Sequence, residues 1–178
     1  MIEEKQYDEL ENRFIYYKYD KGLLTEKEQY NSENKHKRVR RYVYKYGDKG
    51  LMTEEITYDA KDELFLREMC KYNDKDLMTE KTIYLHGIKL VCTFKYEYND
   101  KDLMVKKTEY DEPEGMIEGI EEYEYNDKDL MIKKIRDNTR NNLKWKYMYE
   151  YNDKDLMIKT IKYNSQGEPQ TKLVYKYE

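Results

Sequence analysis

The chain repeats itself with a period close to 26 residues, and no other feature restricts its fold as much. One copy reads YEYNDKDLMIKTIKY, residues 149–163. The second Tyr of each Y-x-Y motif falls at Tyr19, Tyr46, Tyr72, Tyr98, Tyr125, Tyr151 and Tyr177, in steps of 27, 26, 26, 27, 26 and 26 (Cys70 stands for the first Tyr of the third copy). A short turn follows each of the first six, then Leu23, Leu51, Leu77, Leu103, Leu130 or Leu156. Seven residues past that Leu comes Tyr30, Tyr58, Tyr84, Tyr110 or Tyr163, with Asp137 as the exception. Six full units result, approximately 8–30, 31–58, 59–84, 85–110, 111–137 and 138–163. A half-unit precedes them (2–7) and another follows (164–178), so the chain is expected to be a single β-repeat domain over 1–178.

Each unit has two arms. The first alternates, as in Tyr42-Val-Tyr44-Lys-Tyr46, and period-2 alternation of Tyr and Val marks a strand. The second, such as MTEEITY (52–58), is rich in Ile, Thr and Tyr and is also a strand. GDKG or NDKD joins the arms within a unit, and its last two residues predict a two-residue hairpin loop. The links between units are longer and variable: NSENKHKR, DAKDEL, LHGI, DEPEGMIEG, DNTRNN and NSQGEPQ. Both prolines, Pro113 and Pro169, fall in these links, where no ladder donor is lost.

Charge fixes the register. Between the two Tyr positions stand Lys18, Lys45, Lys71, Glu97, Glu124 and Glu150. Three residues past the Leu stand Glu26, Glu54, Glu80, Lys106, Lys133 and Lys159. The signs are opposite within every unit and flip together between units three and four, as pairing across a hairpin requires. Unit one has a turn one residue shorter, so its register is the least constrained.

The expected fold is all-β: an antiparallel meander of about 14 strands, with the turns along one edge and the links along the other. Neither face of such a sheet is greasy. Tyr rings and the stems of Lys and Glu must cover it, which suits a largely single-layer, elongated sheet that is curled or superhelical, with a closed barrel as the alternative.

Charged residues make up 40 % of the chain, which leans toward disorder, but 22 Tyr argue for a folded protein. The net charge of −4 carries no general affinity for nucleic acid or membrane. No apolar run approaches a membrane span, and MIEEKQYDEL lacks the apolar core of a signal peptide. A cytoplasmic location is the expectation from this stretch.

Chemistry-bearing residues are few. His36 and His86 sit in separate links and read as solvated. Cys70 and Cys92 lie on strands one strand apart, ~9.6 Å, beyond disulfide reach, and read as semi-buried thiols. Ser32 and Ser165 have no His–Asp context. An NDKD turn offers too few oxygens for calcium and is explained by turn chemistry. No phosphate-binding Gly-rich loop is present, acids neutralise the lysines strand by strand, and no catalytic pair stands out among the acids. The expectation is a non-enzymatic protein without cofactor or metal and without nucleic acid. A hydrolase using paired acids is the remaining enzymatic reading.

The links are where copies differ. KHKRVRR (35–41) has five Lys or Arg, and DEPEGMIEGIEEYEYND (111–127) has eight acids and no base. Lys37, Arg38, Arg40 and Arg41, with Asp111, Glu112, Glu114 and Glu118, are therefore candidate protein-binding residues on a polarised edge. Trp145, the only Trp, joins them, as Trp is common at binding hot spots. The copied Tyr and Leu positions read as structural.

YDKGLL (19–24), YNSQGE (163–168), YGDKGLM (46–52) and four copies of YNDKDLM resemble the YD repeats of Rhs-type proteins. That pattern is Tyr-Asp, two variable residues, Gly and an apolar residue, and the resemblance runs over nearly the whole chain. It implies long β-sheets of the kind that spiral into shells around a toxic domain or serve as surface and adhesion modules. The chain departs from the family in having six units, no recognisable toxin domain and no autoproteolytic motif. A weaker resemblance is to MORN-type hairpin repeats, whose regular glycines are missing. By analogy the resemblance implies a binding, inhibitory or immunity-type protein of bacterial or phage origin. The alternative is a structural segment of a surface or shell protein, or a ribbon that self-associates through its end strands.

Overall fold

A computed structural model describes residues 1–8, 13–31, 37–112 and 114–177. His36, Ser32 and Pro113 lie outside the described residues. Fourteen antiparallel strands follow one another in sequence order within one sheet. They are β1 (Ile2–Asp8), β2 (Arg13–Asp20), β3 (Leu23–Asn31), β4 (Arg38–Tyr46), β5 (Met52–Tyr58), β6 (Leu64–Tyr72), β7 (Met78–Leu85), β8 (Lys89–Tyr98), β9 (Met104–Asp111), β10 (Met116–Tyr125), β11 (Met131–Asn138), β12 (Leu143–Tyr151), β13 (Met157–Tyr163) and β14 (Pro169–Val174). β1 and β14 are not neighbours, so the order is open and the barrel alternative falls. The chain divides into two compact units, Met1–Cys92 and Thr93–Glu178. No helix among the described residues is long and apolar enough to cross a membrane.

Both units lack a conventional core. Among the described residues no side chain is fully buried, and the best-covered apolar ones are Ile15, Ile56, Cys70 and Tyr123. Thr57, Thr93 and Thr108 are buried as deeply. This is the signature of one layer, in which side chains shield one another along a face rather than against a second sheet.

The charge register forms as expected. Lys18↔Glu26, Lys45↔Glu54, Lys71↔Glu80, Glu124↔Lys133 and Glu150↔Lys159 stand directly opposite. Their ion pairs, with that of Glu97 and Lys106, span 2.6–3.4 Å. Each such pair contributes roughly 0.2–1 kcal/mol.

The turn that produces this register differs from the expected one. In the NDKD copies the loop has three residues. Asp76 N–H donates to Asn73 O (3.0 Å) and Asn73 N–H to Leu77 O (2.9 Å). Asn73 Oδ1 accepts from Lys75 N–H and Leu77 N–H, which holds the loop from inside. Only the last loop residue has positive φ: Asp76, Asp102, Asp129 and Asp155 at 62–64°, and Gly50 at 75°. A β-bulge in the returning strand then restores the charge pairs, since Lys71 faces Glu80 whereas Tyr72 faces Met78. At three of these bulges a threonine fills the irregularity: Thr25, Thr53 and Thr79 donate to the carbonyls of Lys18, Lys45 and Lys71. A two-residue loop does occur in unit one, where Lys21 and Gly22 both have positive φ, and the same bulge follows it. The two-residue expectation failed elsewhere because a loop one residue longer plus one bulge leaves the distant register unchanged.

Tyrosine hydroxyls tie neighbouring hairpins together at five of the repeats. Tyr46 donates to Leu24 O, Tyr72 to Met52 O, Tyr125 to Met104 O, Tyr151 to Met131 O and Tyr177 to Met157 O, at 2.6–2.8 Å. The backbone ladder between hairpins stops short of these carbonyls. β5 and β6 pair from Tyr58↔Leu64 only as far as Glu54↔Met69. The phenol therefore supplies the donor that the diverging strand cannot.

Lysines tie the turns together. Lys49, Lys101 and Lys128 reach Asp76, Asp129 and Asp155 of the next turn, each at 2.7 Å. This accounts for Asp where the early turns have Gly. The aspartate accepts left-handed backbone and receives the preceding unit's lysine.

Candidate functional site, the variable link edge

In Met1–Cys92 the basic cluster meets acids that sequence distance had hidden. Arg38 pairs with Glu28 (3.3 Å) and Asp62 (3.0 Å). Arg41 pairs with Asp62 (2.7 Å) and lies 4.1 Å over the Tyr58 ring. The two guanidiniums, Arg41 foremost, hold the Asp62 carboxyl below its ordinary range. Asp62 is placed by a link turn of the same kind as NDKD. Asp59 Oδ1 accepts from Lys61 N–H and Glu63 N–H, and Asp62 takes φ 68°. Arg40 lies over the Phe65 ring at 5.5 Å, and Lys37 is exposed. Beside them His86 and Gly87 form a tight turn with positive φ at both, leaving Ile88 at 88 % exposure. The His86 ring packs edge-on against Phe65, and its Nδ1 lies 3.3 Å from Leu64 O.

In Thr93–Glu178 the acidic link is partly neutralised in the same manner. Arg140 bonds Asp111 (2.5 Å) and Glu118 (3.0 Å). The Thr139 hydroxyl donates to Ile117 O. Asp111, Met116, Ile117, Glu118, Thr139 and Arg140 enclose an open cleft. Glu112 is half-buried and Glu114 exposed. Trp145 is half-buried, opposite Arg136 in the ladder, with Lys162 Nζ 4.0 Å above its ring. It continues the aromatic row of Tyr147 on β12, with the same lysine reaching both rings.

Sequence reasoning centred on charge and missed the apolar component of this edge. Phe65, Ile88, Met116, Ile117 and Leu143 are all exposed and all lie in or next to links, whereas among the described residues from β2 to β13 the turn edge exposes Leu156. The signal was available: each stands within two residues of a loop and breaks the Tyr/Lys/Glu pattern of the copied arms.

Away from the edge, two side-chain clusters occupy the tyrosine face. Glu55 stands opposite both Tyr44 and Glu68. Burial, then the Glu68 charge, pushes its carboxyl up, while Lys81 holds Glu68 at 2.5 Å. Cys70, the buried thiol of that face, is also raised by burial. In the second unit Glu121 accepts from Tyr123 (2.5 Å) and pairs with Lys134 (3.1 Å). Burial opposes its ionisation, but the Tyr123 and Lys134 bonds outweigh that and hold it below its ordinary value. Among the described residues no group of His, Cys, Asp and Glu is arranged to hold a metal ion.

These features define the class: an open antiparallel sheet of hairpin repeats with one copied edge and one variable edge. No protein-family model matches the chain, and no curated protein matches it. Solved structures do. The structure of TcdB2-TccC3-Cdc42 superposes with a TM-score of 0.50 at 10 % identity, over 90 % of this chain. That of TcdB2-TccC3 without its hypervariable C-terminal region gives 0.51 at 9 % identity, over 91 %. The chain spans 9 % and 10 % of the length of those chains. The likeness is one of fold: this protein has a related β-repeat architecture.

Proposed function

We propose that the chain is a non-catalytic protein-interaction module of YD-repeat type, in which the repeated sheet is a scaffold and the variable links contact another protein. The observation that carries this reading is that, among the described residues from β2 to β13, five exposed apolar side chains lie on the link edge, set among fixed ion pairs, against Leu156 on the turn edge. Exposed apolar residues ringed by ordered polar groups suit a protein surface. The arginines and acids of the same edge then orient the partner rather than hold it, because Asp62 and Arg140 already occupy several of them. An inhibitor or immunity-type role is the form this module would take beside a toxin.

The test is an affinity capture from the source cells with three baits: wild type, F65S/I88S, and the turn-edge control K154E. A partner retained by wild type and control and lost by F65S/I88S supports the reading. The same proteins on all three baits, or none on wild type, refutes it.

A second reading is favoured by the span of the chain, a tenth or less of the similar solved chains. In it the chain is a structural segment of a larger surface or shell protein, and its edges continue into more sheet.

A further inference from the structure

In Thr93–Glu178 the link from β9 to β10 and the link from β11 to β12 meet in an open cleft of about 270 Å³. Thr139 N–H donates to Glu118 O (2.9 Å), and the Thr139 hydroxyl donates to Ile117 O. Arg140 spans the two links by holding Asp111 (2.5 Å) and Glu118 (3.0 Å) at once. Met116 and Ile117 line the cleft and stay 60 % and 43 % exposed. We propose that this cleft is a docking site for a basic, amphipathic segment of a partner protein, one that sets an apolar side chain beside Lys or Arg. The proposal rests on the protein-interaction reading above and adds the chemistry of the partner.

The cleft is built before any partner arrives. Gly115, at φ 67°, turns the link back, and its N–H donates to Asp111 O at 3.0 Å. The ladder then skips one residue: Ile117 faces Tyr110 and Gly119 faces Glu109, which leaves Glu118 in a β-bulge. The bulge carboxylate is the one that Arg140 takes. Backbone and charged wall are both fixed by these bonds, so binding has little of this surface left to order. The volume lies below the roughly 300–1,000 Å³ of small-molecule pockets, which suits side chains presented by a protein. An exposed apolar pair bordered by fixed polar groups is the pattern of such a surface.

Charge selects the occupant. Residues 111–118 carry four acids, Asp111, Glu112, Glu114 and Glu118, and no base. Four acids against the one guanidinium of Arg140 leave a net charge of −3 on the cleft and its border. The bases of the adjoining strands are held by other acids: Arg136 by Glu121 (3.6 Å) and Lys144 by Asp137 (3.5 Å). Acids around an apolar floor attract a cationic segment and repel an anionic one. A second copy of this chain does carry a basic segment, Lys37-Arg38-Val39-Arg40-Arg41. Its Arg38 and Arg41 are already bound to Asp62, at 3.0 and 2.7 Å, and its Arg40 lies over Phe65. Docking would break those contacts, so the occupant is a different protein.

The test is selection of random dodecapeptides displayed on phage against the 178-residue chain, followed by fluorescence-anisotropy titration of the enriched peptides. These are expected to place Lys or Arg next to Ile, Leu, Val or Met, and to bind more weakly as salt rises. M116S/I117S and, separately, E112Q/E114Q should each weaken them by about tenfold, and E112Q/E114Q should flatten the salt dependence. F65S/I88S should bind them as wild type does, and so should D48N/D74N, which removes the same charge from the turn edge. Circular dichroism melts that match wild type check that these substitutions leave the fold intact. Peptides without basic residues, peptides that bind M116S/I117S as tightly as wild type, or equal losses from E112Q/E114Q and D48N/D74N overturn the proposal. If the peptides are lost on F65S/I88S instead, the partner reading stands while this cleft falls. If nothing is enriched, both fall. A dimer in sedimentation that E112Q/E114Q disperses also overturns the proposal, because the occupant would then be a second copy.

Discussion

The phenol of Tyr125 ends on the carbonyl of Met104, 2.8 Å away, where the ladder between β9 and β10 has already stopped. Tyr125→Phe keeps the ring and removes that donor. Denaturant titration should show a loss of about 1 kcal/mol, the usual worth of a hydrogen bond whose acceptor remains in place. Glu55 offers a test of opposite sign. Burial and Glu68 raise its folded pKa above its unfolded one, so its favourable contribution is complete below the ordinary carboxylate range and is lost as pH rises through the raised value. At neutral pH it is a net cost. Glu55→Gln should therefore raise the melting temperature at pH 7, with the gain vanishing as the medium is acidified below the usual glutamate range. Of these two residues, sequence alone marked Tyr125 as structural but not what its hydroxyl does. That bond joins positions 21 apart on different hairpins, and no local periodicity encodes it.

At the level of one hairpin, the strands and the charge register were legible because alternation and opposite signs are short-range rules. The turn was not. A three-residue loop with a bulge and a two-residue loop without one place Lys45 opposite Glu54 equally well, so the charge pattern could not separate them. The last loop residue also resolves a conflict visible in the sequence, Asp where Gly is the easier choice. Asp129 holds φ 63° while accepting Lys101 at 2.7 Å. Asp129→Gly relieves the backbone and loses the ion pair. Thermal melts should show the variant gaining on wild type as salt rises, because screening weakens only the interaction that the substitution removes. The candidate link edge was legible by charge and illegible by contact. Arg38 and Arg41 share Asp62, more than 20 residues on, and that meeting depends on two hairpins lying side by side.

Across the whole molecule, each hairpin is bonded to its sequence neighbours, so stability should be a sum of repeats and junctions. Excision of residues 125–150 joins Glu124 to Tyr151 and leaves every junction of the same kind as before. The shortened protein should fold with native-like β circular dichroism, and its urea m-value should fall by about a seventh, in proportion to the surface lost. Removal of half that stretch would join two first arms and should not give a cooperatively folding protein.

The strict neighbour order also determines how the molecule responds to tension. A load applied through the two termini acts across the sheet, along the hydrogen bonds, and opens one ladder at a time. Each hairpin that peels away releases about 26 residues, or roughly 90 Å of contour. The tyrosine bond to the preceding hairpin is one more contact to break before the next hairpin can follow. The protein should extend in near-equal steps at low force, as a compliant linkage rather than a strut.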